Sequence, residues 1–152
     1  MISSAIARVV ARTPRSRYAN RMADTQHETD MLSAPPMQRQ SLPPRRESLT
    51  HKFAVMGHEG YLTIGLHEDG SPGEIFIKMS KVGATLSGLV QAFCRAFSLA
   101  MQYGLPLQEA VNRFKGMRFE PMGATSNPDI PEAQSIVDYV AKYLELHFVI
   151  RK

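Results

Sequence analysis

From residue 51 onward, apolar and polar positions follow two successive periods. Residues 52–56 form a short strand candidate. In 61–68, Leu62, Ile64 and Leu66 alternate against Tyr61, Thr63, Gly65 and His67. Asp69-Gly70-Ser71-Pro72-Gly73 is a turn signal, and 74–79 puts Ile75, Ile77 and Met79 on one side of a third strand. Alternation with period two, broken by turn residues, predicts an antiparallel meander with one buried face. The period then becomes helical. Leu86, Leu89, Val90, Phe93, Phe97, Ala100 and Met101 fall at i, i+3, i+4, i+7 spacing up to Gly104. Pro106 opens a shorter helix with Leu107, Ala110, Val111 and Phe114 inward, and Gly116 stops it. Residues 117–128 read as a loop rich in Pro, Gly, Ser and Asn. Asp129, three residues before Glu132, predicts the start of a third helix with Pro131 in its first turn. Its apolar stripe is Ala133, Ile136, Val137, Val140 and Leu144. The expected fold class is α+β: a small three-stranded antiparallel sheet with about three helices packed on one face. There is no internal repeat.

The first 50 residues differ in kind. Half of the ten prolines lie there, with few aromatic residues and no sustained periodicity. Such a segment cannot bury enough apolar surface to offset its ordering entropy. The expected organisation is a disordered Arg/Pro-rich arm over 1–47 and a folded domain over 48–152. The arm also carries the charge. Residues 1–50 hold eight arginines against four acids, whereas residues 51–152 hold ten basic and ten acidic residues. The formal charge of +4 therefore resides in the arm, and a basic folded face is not expected. The arm is read as solvated, with weak contact to acidic partners as the competing reading. Residues 1–23 have five arginines and no acid, the composition of a mitochondrial-type presequence. A plain disordered arm, or initiation at Met22 rather than Met1, are the preferred readings. No secretory signal is recognised, and no apolar run approaches the ~20 residues of a bilayer span.

Candidate chemistry is sparse. The single cysteine, Cys94, excludes an internal disulfide framework or a four-cysteine zinc site. Beside Phe93 and Phe97 it reads as a core residue. His51, His58, Glu59, His67 and Glu68 gather near the first two strands, but their spacing matches no metal-ligand motif. Lys78, Ser80, Lys81, Gly83, Thr85 and Ser87 lie where the third strand gives way to a helix. Such a turn can bind an anion through free backbone N–H groups, or can carry these residues for capping alone. The densest polar stretch is the loop 118–129. Arg118 and Glu120 offer a charge pair there, and Thr125, Ser126, Asn127 and Asp129 offer short hydrogen-bonding side chains. It is either a binding surface or a loop whose polar groups satisfy their own backbone.

Several blocks, in order, carry a resemblance: His51-Lys-Phe, Gly57-His-Glu-Gly-Tyr-Leu-Thr-Ile-Gly-Leu, Glu68-Asp-Gly-Ser-Pro-Gly-Glu-Ile-Phe-Ile-Lys-Met, Leu99-Ala-Met-Gln-Tyr-Gly-Leu-Pro-Leu, Arg118-Phe-Glu-Pro, Asn127-Pro-Asp-Ile and Ser135-Ile-Val-Asp-Tyr. Over about residues 45–147 the chain resembles the TSCPD domain at the C-terminus of adenosylcobalamin-dependent (class II) ribonucleotide reductases. The naming motif reads Thr125-Ser126-Asn127-Pro128-Asp129 here, with asparagine at the cysteine position. The resembled enzymes use a cysteine thiyl radical, a reducing cysteine pair and a barrel that holds cobalamin. One cysteine cannot supply that chemistry, so no catalytic residue transfers to this chain. The resemblance implies a detached C-terminal component or paralogue, a non-catalytic accessory to deoxyribonucleotide supply. No cofactor is expected on the chain alone, with adenosylcobalamin belonging to the full-length enzyme. It further implies a class II reductase catalytic chain as partner, nucleotide as a second possible ligand, no membrane, no specific nucleic acid, and a cytoplasmic setting. The alternative is a small regulatory or binding module for a phosphorylated ligand or partner protein, using Arg118, Glu120, Thr125, Ser126, Asn127, Asp129, Lys78 and Lys81.

Overall fold

The computed structural model describes residues 37–80 and 83–150. Most of the expected arm, and Lys81, lie outside the described residues. Five strands and three helices follow in the order β1 Ser48–Val55, β2 His58–Leu66, β3 Pro72–Met79, α1 Ala84–Gln102, α2 Leu107–Phe114, β4 Gly123–Asn127, β5 Ile130–Ala133 and α3 Ile136–Leu144. A π-helical turn, Glu145–Ile150, extends α3. The sheet order is β3-β2-β1-β4-β5, and every pairing is antiparallel.

The meander forms as the alternation requires. Val55 pairs with His58 across a two-residue turn. Met56 and Gly57 there both have positive φ, 47° and 78°, which matches the right-handed twist of the flanking strands. Phe53 and Val55, Leu62 and Ile64, and Ile75 and Ile77 all fall on one side and are essentially inaccessible. The helices cover that side. Val90, Cys94 and Phe97 of α1, Ala110 and Val111 of α2, and Ile136, Val140 and Leu144 of α3 complete one core. Phe93, Phe97 and Phe114 tie α1 to α2, with ring centroids 5.2–5.6 Å apart. Leu89, assigned to the α1 stripe by spacing, is instead 64% exposed.

Two expectations are corrected. The sheet has five strands, not three, because the segment read as a loop contains the β4–β5 hairpin. The third helix starts at Ile136, not near Asp129. Its N-cap is Ser135, whose hydroxyl accepts the Asp138 N–H at 3.0 Å. Ala133 is consequently a strand residue. The Asp129 N–H bonds the Asn127 side chain in the hairpin turn, and the Asp129–Glu132 pair lies in the hairpin rather than at the start of a helix.

α1 also closes the outer edge of β3. Ser98 Oγ accepts the Ile75 N–H at 2.9 Å, Gln91 Nε2 donates to the Ile77 carbonyl at 2.6 Å, and Gln102 Nε2 donates to the Gly73 carbonyl at 2.9 Å. A hydrogen bond from the Ile77 backbone reaches Cys94. These four residues recur at helical spacing, so one row along α1 serves the whole strand edge. By length and composition α1 could cross a bilayer, which counting apolar runs did not anticipate. Here its buried polar side chains are committed to β3.

Residues 37–47 run beside the domain. The Gln40 N–H reaches the Gln102 carbonyl at 2.8 Å, Arg39 Nε reaches Gln102 Oε1 at 2.7 Å, and Leu66 N–H reaches the Glu47 carbonyl at 2.9 Å.

Candidate functional site

The Thr125–Asp129 motif builds the β4–β5 turn and joins it to the body. The Thr125 hydroxyl accepts the Asn127 N–H at 3.0 Å and donates to the Ile130 carbonyl. Asn127 Oδ1 accepts the Asp129 N–H at 3.0 Å. That bond fixes the amide orientation, so Asn127 Nδ2 points away and donates to Tyr139 Oη at 3.1 Å. Ser126 Oγ accepts the Ala54 N–H at 2.9 Å, and the Met56 N–H bonds the Ala124 carbonyl at 2.9 Å. The motif therefore fastens the hairpin to β1 on one side and to α3 on the other.

Beyond Asn127 lies a polar relay within aromatic surroundings. Tyr139 Oη is 2.8 Å from His51 Nε2. Tyr139 is fully buried, and burial holds its phenol above the ordinary value. The hydroxyl therefore keeps its proton and donates it to His51 Nε2, while its oxygen accepts from Asn127. His51 stacks on Tyr143 at 4.4 Å and Tyr139 on Phe53 at 4.9 Å, while His147 meets Tyr143 at 4.2 Å with its ring tilted by 36°. Burial, and then the neighbouring His147, lower the His51 pKa below its usual 6.5. Protonated His51 would donate from Nε2, leaving the Tyr139 proton without its acceptor. The folded state thus resists protonation that the unfolded chain accepts near pH 6.5. This contribution is intact above that pH and is lost as pH falls through the lower folded value. Urea midpoints should drop as pH falls below the unfolded value of 6.5, and His51→Gln should flatten that slope. An unchanged slope in His51→Gln would remove His51 as the source.

The other site residues expected from sequence are dispersed. Arg118 is exposed, with Nε 3.3 Å from Met122 Sδ. The ion pairs among the described residues do not include Arg118 with Glu120. Met117, 43% exposed, and Phe119, 37% exposed, flank Arg118. The segment is held by the Phe119 N–H on the Gln134 carbonyl and by Ser135 Oγ on the Met117 carbonyl. Lys78 is exposed on β3, with β2 and β1 between it and the motif. The histidines do not converge: His51 faces Tyr139, His58 ends the β1–β2 turn, and His67 follows β2. Glu59 pairs with Lys52 at 3.2 Å. Among the described residues no three metal-ligating side chains gather. The sequence marks His51 only as a candidate metal ligand and does not single out Tyr139 as a site residue. The signal was His51 itself, in alternation with Phe53 and Val55 on the buried side of β1.

The TSCPD domain model matches residues 32–148. Over 144 residues the chain is 48% identical to a vitamin B12-dependent ribonucleotide reductase of Rhodopirellula baltica, covering 88% of this chain and 14% of that protein. A reductase of the same name from Streptantibioticus cattleyicolor is 49% identical over 111 residues, 73% of this chain and 18% of its own. One from Bradyrhizobium diazoefficiens is 44% identical over 115 residues, 75% and 9% respectively. The chain thus spans less than a fifth of each of these relatives. No solved structure matches it significantly. A match over most of its length shows that the chain belongs to the TSCPD domain family.

Proposed function

We propose that this protein is a non-catalytic accessory domain of a class II ribonucleotide reductase, acting in the cytoplasm on deoxyribonucleotide supply through a separate catalytic chain. The observation that carries the reading is the high identity to one small portion of each reductase. The chemistry of this chain agrees with a supporting role. Cys94 is the single cysteine in the sequence, is 1% exposed, and burial pushes its thiol up to about 11. A protonated, inaccessible thiol is a poor radical or redox centre. The cobalamin of the relatives finds no fitting site among the described residues. His51 Nε2 is held by Tyr139, His147 packs against Tyr143, and His58 and His67 lie elsewhere on β2 and just after it.

The Met117–Arg118–Phe119 stretch supports docking. Arginine and large apolar side chains dominate interface energetics, and these three are exposed on a backbone anchored to α3. The phosphorylated-ligand alternative is weaker, because Thr125, Ser126 and Asn127 already hold their own hairpin. The test is a titration of the co-encoded reductase chain with Arg118→Ala, Phe119→Ala double variant. Stability should stay within about 0.5 kcal/mol of the parent, while affinity falls by ~2 kcal/mol or more. Unaltered affinity would exclude this segment from docking.

A further inference from the structure

The side of the sheet that the helices leave bare carries aromatic rings set among cations. Register places Tyr61 of β2 directly between Lys52 of β1 and Lys78 of β3. The next row is Thr50, Thr63 and Phe76. Tyr61 is 43% and Phe76 47% exposed. They are diagonal neighbours across one strand pair, a separation of about 7–8 Å. Exposed rings paired in this way need a ligand or partner more than isolated surface residues do.

Two grooves flank Phe76. One, of about 850 Å³, is lined in part by Arg39, Arg95, Ala92 and Leu99. The other, of about 400 Å³, is lined in part by Arg45, Arg46 and Thr63. Glu74 is the only acid in either lining. It pairs with Arg46, and Lys52 pairs with Glu59. Arg45, Arg95 and Lys78 make no ion pair among the described residues. Equal totals of acid and base over residues 51–152 had argued against a basic face. On this side Glu59 and Glu74 are met by Lys52 and Arg46, and the excess positive charge comes from Arg39 and Arg45, which lie before residue 51, together with Arg95 and Lys78.

We propose that this face binds single-stranded nucleic acid, with successive bases stacked on Tyr61 and Phe76 and phosphates on the surrounding Arg and Lys side chains. Any base offers a π-face to an aromatic ring, and unpaired bases alone can reach a flat sheet. Unneutralised guanidinium and ammonium groups beside the rings match the charge of a phosphate backbone. Recognition of this kind is largely independent of sequence.

The experiment is fluorescence anisotropy of the full chain with a labelled oligothymidine of about 15 nucleotides. Binding should weaken with salt at a log–log slope of about −2 to −3, from three or four phosphate contacts at ~0.7 each. Tyr61→Ala and Phe76→Ala should each weaken binding about tenfold, ~1.4 kcal/mol, with the slope and the melting temperature unchanged. Lys78→Gln should make the slope shallower by ~0.7. The proposal is overturned by absence of binding at low salt. It is equally overturned if the Tyr61→Ala, Phe76→Ala double variant binds like the parent, which would assign binding to the arginines of residues 1–36. Loss of reductase-chain capture in that double variant, with no oligonucleotide binding by the parent, would make the face a protein interface instead.

Discussion

Replacing Asp138 by alanine should destabilise the fold by about 3–5 kcal/mol. The carboxylate is completely buried. Oδ1 accepts the Gly116 N–H at 2.6 Å, Oδ2 accepts the Gln134 N–H at 2.8 Å, and Lys142 Nζ lies 2.7 Å from Oδ2. Burial pushes the carboxyl pKa up. Bonds from Gln134, Lys142 and Gly116 outweigh that effect and hold it below the ordinary carboxylate value. Its lowered folded pKa contributes stability above the unfolded value of 3.8, lost as pH falls through the folded one. Alanine leaves two backbone donors without an acceptor, each costing about 1–3 kcal/mol. It also releases the end of α2 and the start of α3 together, because Gly116 and Gln134 belong to different connections. Asn is no rescue, since only one of its two terminal atoms accepts. A urea titration showing less than ~1 kcal/mol of loss in Asp138→Ala would contradict this account.

Tyr139→Phe should cost about 2–3 kcal/mol, although it removes a single oxygen. Tyr139 Oη is the common partner of Asn127 Nδ2 and His51 Nε2, so both lose a bond in a part-buried site. The ring remains, and with it the Phe53 stacking, which separates the polar loss from a packing loss. The pH dependence assigned to His51 should also change, because protonated His51 would no longer force the Tyr139 proton out of place. Asn127→Ala should share most of the loss, and the two substitutions together should cost less than their sum. Full additivity would show that no relay exists.

The meander and the first two helices were legible because their buried residues recur with a clean period. Leu62, Ile64, Ile75 and Ile77 need nothing distant to declare a strand. The β4–β5 hairpin was not legible for a physical reason. Its sequence, from Gly123 to Ala133, buries only Ile130 and Ala133 among its strand residues, so no alternation marks it. It is a strand pair because β1 supplies partners some 70 residues earlier, as in the Ala54–Ser126 bond. The third helix was started too early because Asp129–Glu132 and Ser135–Asp138 offer similar spacing, and only the second pair is placed to cap. The motif residues stood out individually. His51 stood out too, but only as a metal-ligand candidate; its pairing with Tyr139, 88 positions away, is a long-range contact that no local spacing records.

The row of α1 side chains along β3 governs how this domain can meet another chain. A sheet commonly recruits a partner by adding its strand to a free edge. Here β3 has its outward groups already answered by Gln91, Ser98 and Gln102. The opposite border is β5, four residues long, with Pro131 lacking a donor and Lys142 Nζ reaching the Glu132 carbonyl at 3.1 Å. Strand addition is therefore disfavoured on both sides, and so is self-assembly into extended sheets. Either partner proposed above would have to be met by side chains on a surface, where a point substitution can abolish recognition without unfolding the domain.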